Sequence, residues 1–123
     1  MTRRMFLPVV ALLAVLVLAA AAFARPAANP TLKGTVGPSF TITLTQNGKK
    51  VKSLKAGKYT FKVTDKATIH NFVLEKEHSK FEKELTDVSD TGTKTVTINL
   101  TKGTWKYYCE PHESTMNGTF TVK

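Results

Sequence analysis

Apolar residues alternate with hydroxyl-bearing or charged ones along most of this chain beyond residue 40, with a period of two, and no stretch carries a 3.6-residue repeat. That periodicity excludes a helical core and fits half-buried strands, whose successive side chains point to opposite faces. Phe40, Ile42 and Leu44 alternate with Thr41 and Thr43, and Asn47-Gly48 then signals a hairpin turn, because both positions tolerate positive φ. Tyr59, Phe61 and Val63 form a second alternating set, entered from Gly57. A short strand is expected over residues 69–74. Val96, Ile98 and Leu100 alternate again, Lys102-Gly103 turns, and Trp105, Tyr107 and Cys109 share one parity. Gly118 opens a last strand with Phe120 and Val122 facing inward. Residues 75–90 are charged and irregular, with only Phe81, Leu85 and Val88 apolar, and are read as a long excursion holding one weak strand. The expected fold is an all-β, Greek-key β-sandwich of about six to eight strands. Its inward set is Phe40, Ile42, Leu44, Tyr59, Phe61, Val63, Val96, Ile98, Leu100, Trp105, Tyr107, Phe120 and Val122.

The first residues read differently. Arg3-Arg4 opens a basic stretch, residues 9–21 are an unbroken apolar run, and Ala22-Phe23-Ala24 has the small-x-small form of a cleavage site. These are the parts of a secretory signal peptide in their usual order, and the run is shorter than the roughly 20 residues of a membrane span. Residues 1–24 are therefore expected to be a signal peptide, 25–30 a short linker and 31–123 one domain. The mature chain is expected in the periplasm or outside the cell, with no stable membrane insertion. Without Arg3 and Arg4 the chain has 16 basic against 9 acidic residues, a formal +7. Its lysines are scattered, with no basic stripe interleaved with aromatics, which argues against nucleic acid and for a solvated lysine surface that can steer an acidic partner.

Cys109 is the only cysteine, so an internal disulfide, a Cys-rich zinc site and a C-x-x-C-H haem attachment are all excluded. It stands in Tyr108-Cys109-Glu110-Pro111-His112-Glu113-Ser114-Thr115-Met116, where a thiol, an imidazole and a thioether fall within eight residues. Pro111 interrupts strand pairing there, so this segment is a loop and can fold its donors toward one point. His70, in Thr68-Ile69-His70-Asn71-Phe72, is the candidate fourth donor from the end of another strand. Two imidazoles, a thiolate and a weak axial thioether are the ligand combination of blue-copper electron-transfer sites.

With His70-Asn71-Phe72, Tyr107-Tyr108-Cys109-Glu110-Pro111-His112 and Met116-Asn117-Gly118-Thr119-Phe120, the chain resembles the cupredoxins, of the plastocyanin, pseudoazurin and amicyanin type, from about residue 31 to residue 123. The resemblance implies a cupredoxin-type sandwich holding one copper ion, Cu(I) or Cu(II), through His70, Cys109, His112 and Met116. It implies further that Asn71 braces the ligand loop, that electrons enter at His112, and that Tyr108 carries a second route beside the thiolate. The spacing of three residues between His112 and Met116 differs by one from the familiar loops of the family. The function implied is single-electron exchange with redox partner proteins by a monomer. Copper trafficking or storage is the alternative, although such proteins favour exposed Met- and His-rich tracts over one compact site. No enzymatic activity is expected, since four protein donors leave no position for a substrate. His78, among Glu75, Lys76, Glu77 and Lys80, reads as a surface residue.

Overall fold

The computed structural model describes residues 22, 23, 25 and 27–123, so the signal-peptide expectation for residues 1–24 falls almost wholly outside the described residues. Among the described residues ten strands form two five-stranded sheets: β1 Thr31–Val36, β2 Ile42–Gln46, β3 Lys49–Lys50, β4 Ser53–Leu54, β5 Gly57–Asp65, β6 Phe72–Lys76, β7 Glu82–Thr86, β8 Gly92–Leu100, β9 Gly103–Tyr108 and β10 Asn117–Val122. One sheet, here sheet A, has the order β3-β2-β1-β5-β8, and the other, sheet B, the order β4-β10-β9-β6-β7. This is the all-β sandwich expected, with two more strands than the upper expectation. The surplus is β3 and β4, two residues each, too short to leave a periodic signature. No helix among the described residues is long and apolar enough to cross a membrane.

The alternation becomes the core directly. Along β5, Tyr59, Phe61 and Val63 are buried while Lys58 and Lys62 are exposed. Leu32, Leu44, Phe61, Leu74, Leu100, Trp105, Tyr107 and Phe120 are among the buried residues that join the sheets in one cluster. At about 25 cal/mol per Å² of apolar surface removed from water, each large side chain there contributes roughly 1.5–3 kcal/mol.

Three elements depart from the pattern. β1 carries no alternating signature in the sequence because its inward positions are Leu32, Gly34 and Val36, and the glycine breaks the apolar alternation. The space is filled from the other sheet: a Cβ on Gly34 would lie 2.9 Å from Phe72 Cε2. Phe40, expected inside, is 58% exposed and precedes β2, while Ile42 and Val96 are only partly buried. The strand expected from residue 69 begins at Phe72, leaving Ile69 exposed and His70 in the turn before it.

Gly118, in β10, is needed for a close approach. A Cβ there would overlap the Tyr107 ring. That ring cannot swing aside, because it is 1% exposed and stacks on Phe72 at 5.7 Å and 11°. Gly118→Ala is expected to destabilise the domain by about 1–3 kcal/mol, as overpacking of a dense core does. Chemical denaturation followed by tryptophan fluorescence measures it, and an unchanged midpoint would show that Tyr107 can yield.

Candidate metal centre

The ends of three segments meet at one pole of the sandwich. β6 and β9 run antiparallel with Val73 opposite Tyr108, so the residues before β6 lie beside those after β9. His70 and Cys109 are thereby neighbours, although 39 positions separate them in the chain. After Cys109 the chain makes a 3-10 turn, Glu110–His112, with Pro111 inside it. The loop closes on itself: the His112 N–H donates to Cys109 O at 3.1 Å, the Met116 N–H to His112 O at 2.8 Å, and the Cys109 N–H to Met116 O at 3.0 Å.

This closure aims the donors inward. His70 Nδ1 and His112 Nδ1 each lie 3.6 Å from Cys109 Sγ and 3.2 Å from each other. Cys109, His70 and Met116 are fully buried and His112 is partly exposed. Donor separations of about 3.5 Å suit three groups around one ion with bonds of about 2.0–2.3 Å. The donor chemistry fits copper, since thiolate favours Cu(I) and imidazole accommodates Cu(II). With Nδ1 as the donor atom, Nε2 of His70 carries the ring proton, and it is buried without a hydrogen-bond partner among the described residues. Met116 is held on the same loop by the two backbone bonds already given.

Asn71 is fully buried and spans the same gap. Its Oδ1 accepts the Glu110 N–H at 2.7 Å, and its Nδ2 donates to Glu110 Oε2 at 3.4 Å. Tyr108 points away from the core parity, as the alternation requires, yet it is only 5% exposed. Its hydroxyl donates to Glu82 Oε1 on β7 at 2.6 Å, and Lys106 Nζ sits 5.0 Å from the ring centroid. Burial, reinforced by the bond to Glu82, pushes the phenol well above the ordinary tyrosine range. His78 is exposed and lies outside the site.

Several supporting residues gave no signal in the sequence. Asp65, at the end of β5, is 2% exposed; its Oδ2 accepts from the Thr86 hydroxyl at 2.9 Å and its Oδ1 from the Ala67 N–H at 3.2 Å. Thr86 Oγ1 in turn accepts the Phe72 N–H at 3.0 Å. This relay clamps both ends of the turn that carries His70. Gly37, at φ +73°, admits the His70 ring, since a Cβ there would lie 2.9 Å from His70 Cδ2. The exposed Phe40 ring sets its edge against both imidazoles, with centroids 5.5 Å from His70 and 4.9 Å from His112. Asp65 resembles any strand-end carboxylate in the sequence, and Phe40 any core aromatic; only the fold distinguishes them.

Two outcomes follow. Asp65→Ala strands a buried hydroxyl and an N–H, which is expected to cost about 1–3 kcal/mol and to broaden the His70 ring signals in NMR spectra. Sharp, unshifted signals would remove Asp65 from the support of His70. For Tyr108, the raised folded-state pKa means a stability contribution present below the unfolded tyrosine value of about 10 and lost as pH rises through the folded value. Ultraviolet titration should show a phenol ionising late, and Glu82→Gln should bring its ionisation down toward the ordinary range. A Tyr108 that titrates normally would contradict the pairing.

Comparison with curated protein sequences gives no match. Among solved structures, the chain is similar to the copper protein rusticyanin, at 18% identity over 76% of each chain and a TM-score of 0.56. It is similar to auracyanin A, a "blue" copper protein from the green thermophilic photosynthetic bacterium Chloroflexus aurantiacus, at 17% identity over 78% of this chain and 100% of the other, with a TM-score of 0.51. A variant of amicyanin in its reduced Cu(I) form aligns at 17% identity over 79% and 86%, with a TM-score of 0.51. These likenesses establish the shared sandwich. The sequence profile described as copper binding proteins, plastocyanin/azurin family, matches residues 35–123, which include every donor named above. With two imidazoles and a thiol converged at the pole of a cupredoxin sandwich, the chain belongs to the plastocyanin/azurin family of copper-binding proteins.

Proposed function

We propose that this chain is an exported electron shuttle that holds one copper ion through His70, Cys109, His112 and Met116 and exchanges single electrons with protein partners. One observation carries the reading: two Nδ1 atoms set 3.6 Å from a single buried thiol. Copper, when bound, supplies a one-electron couple between Cu(I) and Cu(II). Everything else is done by the chain. Cys109 and His70 bind from positions closed to water. Asn71 and Asp65 restrict the movement of the segments that carry them, so the donor set changes little between oxidation states. Met116 would add a fourth, weak thioether donor from the same loop, and four protein donors would leave no position for a substrate, which supports the reading of the chain as a carrier.

His112 is the one donor of the converged trio with solvent access, and exposed Phe40 lies against it. Together they form a small apolar contact through which electrons enter. Tyr108, one peptide bond from the thiol and backed by Glu82, supplies the second route. The partners are redox proteins, including ones with an acidic docking face, and the shuttle acts as a monomer. Residues 1–24 direct export to the periplasm or the exterior, residues 25–30 link, and residues 31–123 are the copper domain. The first strand begins at Thr31, which agrees with that boundary.

The purified domain titrated with Cu(II) should take up one equivalent and develop an intense thiolate-to-copper absorption band with the matching EPR signal. Cys109→Ser should abolish the band; a variant that stays equally blue refutes the assignment. Met116→Leu should retain copper and raise the reduction potential, because losing a donor disfavours Cu(II), while Met116→Gln, with a harder oxygen, should lower it. Potentials unchanged from the parent protein in both variants would exclude Met116 from the ligand set.

A further inference from the structure

The charge of this chain is sorted between the two sheets. Eight of the nine carboxylates, namely Glu75, Glu77, Glu82, Glu84, Asp87, Asp90, Glu110 and Glu113, lie on β6, on β7 or in the loops of the sandwich that follow β6, β7 and β9, and the ninth, Asp65, is buried. The outer face of sheet A therefore has none. The strand registers lay its outward-facing residues out in rows. One row crosses all five strands as Lys50, Thr45, Lys33, Lys62 and Thr95. At about 4.8 Å between neighbouring strands, it is roughly 19 Å long. The flanking row is Thr43, Thr35, Thr64 and Thr93, and the row on the other side is Thr31, Thr60 and Thr97.

Lys33 and Lys62 are direct partners across β1 and β5, both exposed. Like charges set opposite each other weaken a sheet. Here no carboxylate on the face offsets them, and the ion pairs among the described residues, Lys94–Asp90 and Lys106–Glu113, lie elsewhere. Between the two lysines is a shallow open depression of about 280 Å³, lined also by Thr35, Thr64 and Thr93. A line of ammonium groups flanked by hydroxyls matches a ligand with repeated anionic groups and many hydroxyls.

Among the exposed large apolar side chains, Phe23, Phe40, Ile69 and Phe81, none stands on a strand of sheet A. It has nothing to insert among lipid chains and no aromatic platform for bases. We propose that the outer face of sheet A binds a linear anionic polysaccharide, which lies across the strands along Lys50, Lys33 and Lys62. The polymer contacts the outer side of sheet A, while the metal donors sit between the sheets at one pole. The shuttle can thus be retained on an anionic glycan with its electron-exchange end free.

The test uses the copper-loaded protein and dextran sulfate of defined length, with neutral dextran as control. A triple variant, Lys33→Gln with Lys50→Gln and Lys62→Gln, is compared with Lys55→Gln, Lys80→Gln and Lys102→Gln, three exposed lysines away from the row that remove the same charge. The row variant should bind at least tenfold more weakly and the second variant less than threefold, both keeping the copper absorption band and the melting temperature. Should the row triple fail to fold, Lys62→Gln alone should still weaken binding more than Lys80→Gln alone. Equal weakening by the two triples would reduce the effect to net charge and overturn the proposal. No binding to dextran sulfate, or tighter binding to phosphatidylglycerol vesicles or to single-stranded DNA, would overturn it as well.

Discussion

The register between β6 and β9 is the constraint on which the metal pole depends. Val73 faces Tyr108 and Leu74 faces Tyr107, and this alone brings a residue before β6 next to a residue after β9. Because side chains alternate along a strand, a slip of one residue would turn Cys109 outward and Tyr108 into the core. The core prevents the slip. Trp105 stacks on Phe120, Tyr107 meets Phe120 at a tilt, and Phe72 lies flat against Tyr107. Aromatic packing several ångströms from the donors thus decides which donors meet.

A second layer of control is polar and local. The Asp65–Thr86–Phe72 relay and the Asn71–Glu110 pair tie the His70 turn to β5, β7 and the ligand loop. The bonds of the relay are buried and the Asn71–Glu110 pair is partly so, which limits competition from water and holds the turn in one arrangement. Rigid placement suits a centre whose work is to change charge without changing shape. His112 differs: its segment is a short turn closed by its own backbone, with a ring that reaches solvent.

The sequence made the strands and the donors legible for physical reasons. Period-two alternation reports burial in β5, β8 and β9 because those strands have one wet face. The lone cysteine followed by His112 and Met116 stands out because few roles suit a thiol, an imidazole and a thioether set so close together on one loop. What stayed hidden depends on long-range placement. Gly34 conceals β1, since its missing side chain is replaced by Phe72 from the facing sheet. Phe40 has the composition of a core residue and the place of a lid on the imidazoles. Tyr108 obeys the outward parity, yet Glu82 and Lys106 cover it, which parity cannot foresee.

Strand β8, nine residues long, closes sheet A on one side, with no strand beyond it among the described residues. A free edge of that length offers backbone N–H and C=O groups to any chain that can add to it, the usual starting point of aggregation. The one cation on that edge, Lys94, is paired with Asp90 at 3.3 Å, but the chain as a whole is formally +9. Two copies approaching edge to edge would therefore meet the repulsion of their net positive charge before their backbones could pair. The surplus of lysine gives colloidal stability to a β-rich protein that has no disulfide to limit unfolding and refolding at its margins.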